Sequence, residues 1–251
     1  QTIQEIRHFF FLLGCLISRF PEPRNQQEVV MLYGKAGISY EQQQYHYGQR
    51  RFDIVTQVLS DLQAGTLEPN LKDVYRALAP NAEWRDEPAT TPLAERYEPF
   101  SRFAIPTLRQ GNEQIYEGQA ALTSLSSDVD YRGVVMHHTK PAWPLDAWLD
   151  QLGLAADFAE LATLTVTSKH DFQDKVASFY WKGCQLMPTT RGNSQTMLEL
   201  HYILYALHGF QPPAVDKEVA LPDCVALTTT REDFISNHYR YCFEHASQKD
   251  V

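Results

Sequence analysis

The chain has 251 residues, of which 43% are hydrophobic and 21% charged, the proportions of a folded globular protein with a sizeable core. Its formal net charge of −9 excludes a general nucleic-acid-binding protein, which needs a basic surface. The apolar N-terminal stretch, residues 9–17, is shorter than the roughly 20 residues that cross a bilayer. Four cysteines lie far apart, without metal-ligand spacing or a disulfide pattern, which favours reduced thiols in a cytosol: Cys15, Cys184, Cys224 and Cys242.

Three helices are predicted in the first 80 residues, each closed by glycine or proline. They span residues 2–19, 40–64 and 70–78. The acidic, proline-containing loop at 81–91 then predicts a boundary between an N-terminal helical subdomain, 1–80, and a second domain, 92–251.

The second half of the chain alternates helices with two short β-branched runs. The strands are predicted at residues 131–136 and 163–167. The excess of predicted helices over strands indicates a mainly α fold with a small β element in a single globular domain. Its helices are predicted at residues 94–102, 145–152, 169–186, 196–208 and 231–246.

The turn at residues 187–196 contains proline and glycine and leads straight into the most hydrophobic helix of the chain. The free backbone N–H groups of a helix's first turn and the positive end of its dipole both favour a bound anion. We therefore expect Arg191, Gly192, Asn193 and Ser194 to hold the phosphates of a nucleotide. The alternative is that Asn193 or Ser194 only caps the helix.

His238, on the predicted last helix, is the candidate acid or base to act with Ser194. An imidazole changes its charge near neutral pH, and such a group near a phosphate can take or give a proton. The alternative is a partly exposed histidine that is hydrogen-bonded to its neighbours Tyr239 or Tyr241.

Two other groups of residues are candidates for chemistry. Cys184 with His201 or His208 would make a thiol nucleophile and its base, although a cysteine late in an apolar helix is typical of core packing. His137 and His138 end the predicted strand, where adjacent side chains point to opposite faces and cannot chelate one metal. No ligand spacing predicts a metal site.

Five residues of the chain stand in the order found in a known family: Pro188, Arg191, Gly192, Ser194 and His238. The family is the S-HxxxE-motif family, the LnaB-like AMP-transferases of bacterial pathogens. Residues 180–245 resemble that family. The resemblance implies a secreted effector or toxin that acts in the host cytoplasm and moves AMP from ATP to a phosphate group on a host protein. Phosphoribosyl-ubiquitin is one such acceptor, actin is the implied activator, and a need for Mg²⁺ is left open. It also implies that Ser194 and His238 are catalytic and that the turn binds ATP.

The chain departs from this motif at its glutamate, because the residue four after His238 is Cys242. The nearest acid is Glu244, which we take as the third catalytic residue. Glu199 or Glu232 could substitute for it, or activity could be lost.

A second resemblance is to the Fic/Doc motif, HPFx(D/E)GNGR, of which the turn keeps Pro188, Gly192 and Asn193. Met187 replaces the catalytic histidine and Gln195 the phosphate-binding arginine, so normal Fic chemistry is not expected. The remaining alternatives are a Fic-like or Cys184-dependent protein-modifying enzyme and an inactive module that binds host proteins.

Overall fold

The computed structural model describes residues 2–13, 40–82, 120–124, 134–138, 153–186, 188–189, 192–215, 222–227 and 231–243. Helices account for 76% of this part, so the predicted mainly α fold is confirmed. The helices are α1 (Ile3–Leu13), α2 (Tyr40–Ala64), α3 (Leu71–Leu78), α4 (Leu154–Thr163), α5 (Lys169–Leu186), α6 (Asn193–Leu207), α7 (Pro222–Leu227) and α8. The last of these, α8, runs through Arg231–Asp233, Phe234–His238 and Tyr239–Cys242.

Two short antiparallel strands supply the small β element. Strand β1 (Ala120–Ser124) pairs with β2 (Val134–His138), with Ala120 opposite His138 and Ser124 opposite Val134. Residues 134–136 of the strand predicted at 131–136 belong to β2, which continues through the two histidines, and residues 131–133 lie outside the described residues. Strand β1 was not predicted.

The helix predictions that rested on both apolar spacing and a cap were the most accurate. Helices α2 and α5 have the predicted bounds, and Ser168 Oγ accepts from Asp171 N–H at 3.3 Å at the start of α5. Helix α3 begins one residue later than predicted because the Asn70 side chain caps it, accepting from Asp73 N–H. Helix α1 follows its prediction as far as Leu13. The helices predicted at 94–102 and 145–152, and nearly all of the loop at 81–91, lie outside the described residues.

The strand predicted at 163–167 is wrong. Residues 154–163 form α4, which ends where Leu164 N–H still donates to Glu160 O at 2.8 Å, and Thr163 Oγ1 donates back to Ala159 O. Its β-branched residues therefore finish a helix and enter a loop. A helix was not predicted here because its N-cap residue is Gly153, which is in the left-handed conformation and offers no side-chain cap.

Helix α6 lies at the centre of one hydrophobic core that draws on both ends of the chain. Ten of its 15 residues are buried. Ile6 of α1, Val55 of α2 and Tyr75 of α3 belong to the same cluster as Ile203 of α6. The rings of Phe9 and Tyr202 form a T-shaped pair with centroids 5.5 Å apart. The N-terminal helices are therefore packed against the same core, and the division into 1–80 and 92–251 stays a prediction.

Helices α5 and α6 approach each other closely at Gly183, which is buried against Met197. A Cβ at Gly183 would overlap the Sδ and Cε atoms of Met197. We expect Gly183→Ala to lower the free energy of unfolding by about 1–3 kcal/mol, since the buried Met197 must move its Sδ and Cε atoms to make space for the methyl group.

Urea unfolding of Gly183→Ala, Met197→Ala and the double variant checks this expectation. Met197→Ala alone opens a cavity and should cost about 2–5 kcal/mol. The added methyl group fills part of that cavity, so the double variant should lose less than the two single losses together. Strict additivity would show that the two side chains do not compete for one space.

Candidate functional site

The turn before α6 places a glycine where the backbone requires one. Gly192 has φ 77° and precedes the helix as its N-cap, in a conformation that side chains with a Cβ rarely adopt. Its carbonyl accepts from the N–H and the hydroxyl of Thr196, both at 2.9 Å. Helix α6 therefore begins at Asn193, three residues earlier than predicted. Neither Asn193 nor Ser194 is its N-cap residue.

Asn193 is buried, and both the oxygen and the nitrogen of its side-chain amide are hydrogen-bonded. Its Oδ1 accepts from the Tyr75 hydroxyl at 2.5 Å and from Thr189 N–H and Oγ1, both at 3.0 Å. Its Nδ2 donates to Thr189 O at 2.7 Å. These bonds hold the turn against α3. The Asn193 side chain thus serves the fold, and only its backbone N–H remains for the predicted phosphate contact.

Ser194, the next residue, is exposed at the N-terminus of α6, and among the described residues no atom lies within 4 Å of the position that a Cβ on Gly192 would take. The start of the helix is thus accessible to a ligand. Arg191, which we predicted to pair with phosphate, and Glu244, predicted as the catalytic acid, lie outside the described residues. Their roles stay predictions.

His238 is paired with a carboxylate that the sequence did not reveal. Its Nε2 lies 3.0 Å from Asp233 Oδ2, with the two side chains 38% and 44% exposed. Asn237 Nδ2 donates to the other carboxylate oxygen at 2.8 Å. His238 is therefore partly exposed, and its hydrogen-bond partner is Asp233, not the predicted tyrosines.

A π-helical turn over Phe234–His238 makes this pairing geometrically natural. Residues five apart in an α-helix point about 140° away from each other, whereas the i→i+5 bonding of a π turn brings them onto one face. Tyr239 N–H donates to Phe234 O in this pattern. The turn thus buries Phe234 and Tyr239 on one side and leaves Asp233 and His238 together on the other.

Helix α8 is fastened to α6 by a buried polar cluster. The Tyr239 hydroxyl lies 2.6 Å from His201 Nε2 and 2.8 Å from the Tyr205 hydroxyl. The His201 ring stacks on Phe243 with centroids 4.2 Å apart. Burial lowers the pKa of His201 to about 3, so this ring is neutral in the folded protein.

Ser194 lies on the face of α6 that α8 covers farther along. Ser194 and His201 are seven residues apart, which places them within about 20° of each other on the helix and about 10 Å apart along its axis. His238 immediately precedes Tyr239, the residue that contacts His201. Among the described residues no hydrogen bond joins Ser194 to His238, so their joint role stays a prediction.

The other acids considered for His238 are engaged elsewhere. Glu199 is buried and forms a two-point ion pair with Arg51, whose Nε donates to Glu199 Oε2 at 2.8 Å. Glu232 is an exposed side chain 3.8 Å from Arg231. Cys242, at the position of the family's glutamate, is completely buried. Among the described acids, only Asp233 is shown in contact with His238.

The predicted pairing of Cys184 with a histidine does not form. His201 Nε2 faces Tyr239, and His208 Nε2 donates to Leu161 O at 2.5 Å. Burial, reinforced by Asp223, raises the pKa of the Cys184 thiol well above its ordinary value. The thiol is therefore held protonated in the core, which argues against a Cys184-dependent enzyme.

Because of this burial, we expect iodoacetamide to leave Cys184 unmodified in the native protein and to alkylate it fully in urea. Peptide mapping by mass spectrometry checks this, with the unfolded sample as the control for intrinsic reactivity. Alkylation of the native thiol at the rate of an exposed cysteine would contradict the expectation and revive a thiol nucleophile.

The described part of the chain contains no group of three or more His, Cys, Asp or Glu side chains that could hold a metal ion. Of β2, the structure gives the backbone pairing of His137 with Ala121 and of His138 with Ala120. No helix among the described segments is both long enough and apolar enough to cross a membrane. In comparisons with known proteins, the chain matched no family model and no curated protein.

Proposed function

We propose that this protein is an effector nucleotidyltransferase that moves AMP from ATP to a phosphate group on a host protein in the host cytoplasm. An oxygen of the acceptor phosphate attacks the α-phosphorus of ATP. A new phosphorus–oxygen bond forms, the bond from the α-phosphorus to the bridging oxygen of the β-phosphate breaks, and pyrophosphate leaves. Positioning and electrostatic stabilisation account for most of the catalysis in phosphoryl transfers, so few side chains are needed.

The proposal rests chiefly on one observation, the exposure of Gly192 and Ser194 at the N-terminus of α6. The first N–H groups of a helix have no acceptor within the helix, and in this proposal those of residues 193–195 bind an anion. In this scheme Arg191 and these amides hold the phosphates, and the Ser194 hydroxyl positions the reacting phosphoryl group. His238 takes the acceptor's proton or stabilises its charge.

The direct test incubates the protein with labelled ATP, actin and phosphoribosyl-ubiquitin, with and without Mg²⁺. We expect AMP transfer by the wild type, about 10²–10⁴-fold less by His238→Ala, and at least about tenfold less by Ser194→Ala. The matched controls are His170→Ala, which removes an exposed histidine 3.4 Å from Asp174 on α5, and Ser236→Ala, which removes an exposed serine on α8.

The controls should label like the wild type. Equal labelling by Ser194→Ala and His238→Ala would remove both residues from the mechanism. Absence of labelling by the wild type on both acceptors and in both metal conditions would reject AMP transfer to them.

The complete burial of Cys242 favours a second candidate, a catalytically inactive module that binds host proteins. At this position the family has its glutamate, and a side chain buried there would not reach a substrate in solvent. Isothermal titration calorimetry with millimolar ATP, with and without actin, separates the two. Heat of nucleotide binding supports the enzyme, and its absence supports the binding module.

A further inference from the structure

We infer that Asp233 positions His238 by fixing its ring as the Nε2–H tautomer, which leaves Nδ1 as the atom that exchanges protons at the proposed site. The catalytic part of this inference rests on the proposed function, whereas the assignment of the tautomer does not. Asp233 would then be the acid of the site in place of Glu244, Glu199 or Glu232.

The hydrogen bonds around Asp233 define the direction of the bond to His238. A carboxylate offers only acceptors, so the ring nitrogen 3.0 Å from Oδ2 must be the one that carries hydrogen. Asn237 Nδ2 donates to Oδ1, which orients the carboxylate plane. With Nε2 occupied in this way, a neutral ring has its lone pair on Nδ1.

The π turn is what brings the two side chains together. Asp233 precedes the turn and His238 is its last residue, five positions later, and the buried Phe234 and Tyr239 hold the turn in the core. The backbone that carries the pair is therefore anchored although the pair itself is near solvent. An ion pair this exposed contributes little to stability, so its effect is on orientation.

In the proposed reaction, Asp233 and His238 act as a carboxylate–imidazole pair. Nδ1 accepts the proton that a monoanionic acceptor phosphate carries, and the freed oxygen attacks the α-phosphorus. The imidazolium that forms keeps its Nε2–H bond to Asp233, whose negative charge stabilises it. Asp233 does not take the proton itself. It is a positioning residue that acts through His238.

The tautomer can be read by nitrogen-15 NMR on the full chain labelled at histidine, without nucleotide, at about pH 9, where imidazoles are neutral. His238→Gln identifies the signals of the ring. We expect limiting shifts for protonated Nε2 and unprotonated Nδ1 in the wild type and in Glu232→Ala. Asp233→Ala should shift both nitrogens toward the averaged values of a free imidazole.

Averaged shifts in the wild type, or a proton on Nδ1, would overturn the inference. Unchanged shifts in Asp233→Ala would do the same. This readout contains no enzymatic step, so it distinguishes failure of the positioning role from failure of the proposed AMP transfer.

The effect on rate is measured in the AMP-transfer assay. We expect Asp233→Ala to lower kcat by about 10–100-fold, part of what general acid–base groups supply, with the KM for ATP changed by less than about twofold. Asp233→Glu should restore part of kcat, and Glu232→Ala should match the wild type. A loss confined to KM, or an equal loss in Glu232→Ala, would contradict a positioning role.

Discussion

Replacing Arg51 by methionine is expected to lower the free energy of unfolding by about 3–5 kcal/mol, because it leaves the buried Glu199 carboxylate without its cation. Arg51 contacts both carboxylate oxygens and also donates to Leu78 O at 2.8 Å, so one side chain joins α2, α3 and α6. Gln195, at 3.3 Å from Glu199 Oε2, cannot replace the lost charge. Urea unfolding measures the loss.

The same substitution should also change how the free energy of unfolding depends on pH, in a direction that can be measured. Burial raises the pKa of Glu199 above its ordinary 4.5, and Arg51 opposes the rise. The folded protein therefore keeps this proton to higher pH than the unfolded chain does. The stability that Glu199 contributes is present below pH 4.5 and is lost as the pH rises through the folded pKa. Without Arg51 that loss should be larger and should extend to higher pH.

The control for this prediction is the double variant Arg51→Met with Glu199→Leu. Replacing both members of a buried ion pair by apolar groups is often neutral, so we expect stability within about 2 kcal/mol of the wild type. A double variant as unstable as Arg51→Met would show that the damage comes from lost packing of Arg51 and not from the unpaired carboxylate.

Asn193→Ala is expected to lower the free energy of unfolding by about 3 kcal/mol. The substitution removes the buried amide that accepts from the Tyr75 hydroxyl and bonds to the backbone N–H and C=O of Thr189. Each such group costs about 1–3 kcal/mol when unsatisfied, and water entering the space would recover part of that cost. Chemical denaturation followed by circular dichroism gives the value.

Ser194→Ala is the matched control, one residue farther along the same helix. Ser194 is exposed, so the change in stability should be below about 0.5 kcal/mol. Comparable losses in the two variants would contradict the division between a structural Asn193 and an accessible Ser194. That division also predicts that any effect of Ser194→Ala on AMP transfer is not caused by unfolding.

The sequence predicted those parts of the fold that local spacing determines. Helices α2 and α5 repeat apolar residues at helical intervals and end at recognisable signals, and Gly209 with φ 72° ends α6 as expected. The start of α6 was placed too late because its first turn is polar. Asn193 looks like a surface or ligand-binding residue in the sequence, and only the neighbouring α3 shows that it is buried.

The parts that could not be predicted depend on distant or irregular geometry. Arg51 and Glu199 are 148 residues apart, and no local pattern connects them. The partner of His238 lies five residues before it, a spacing that an α-helix would separate, whereas the family motif places the acid four residues after the histidine, at position 242. The π turn that overrides this spacing has no signature in apolar periodicity.

The same turn suggests how the end of α8 would respond to the loss of a residue. Four residues of α-helix rotate the chain by about 400° and advance it by about 6 Å, which lets the flanking residues meet on one face as they do across the π turn. Deleting the exposed Ser236 should therefore let this segment rewind as ordinary α-helix with Phe234 and Tyr239 still inside. We therefore expect the buried face of α8 to pack in the same way with or without the extra residue of the π turn, and the change to be limited to the exposed face of the helix.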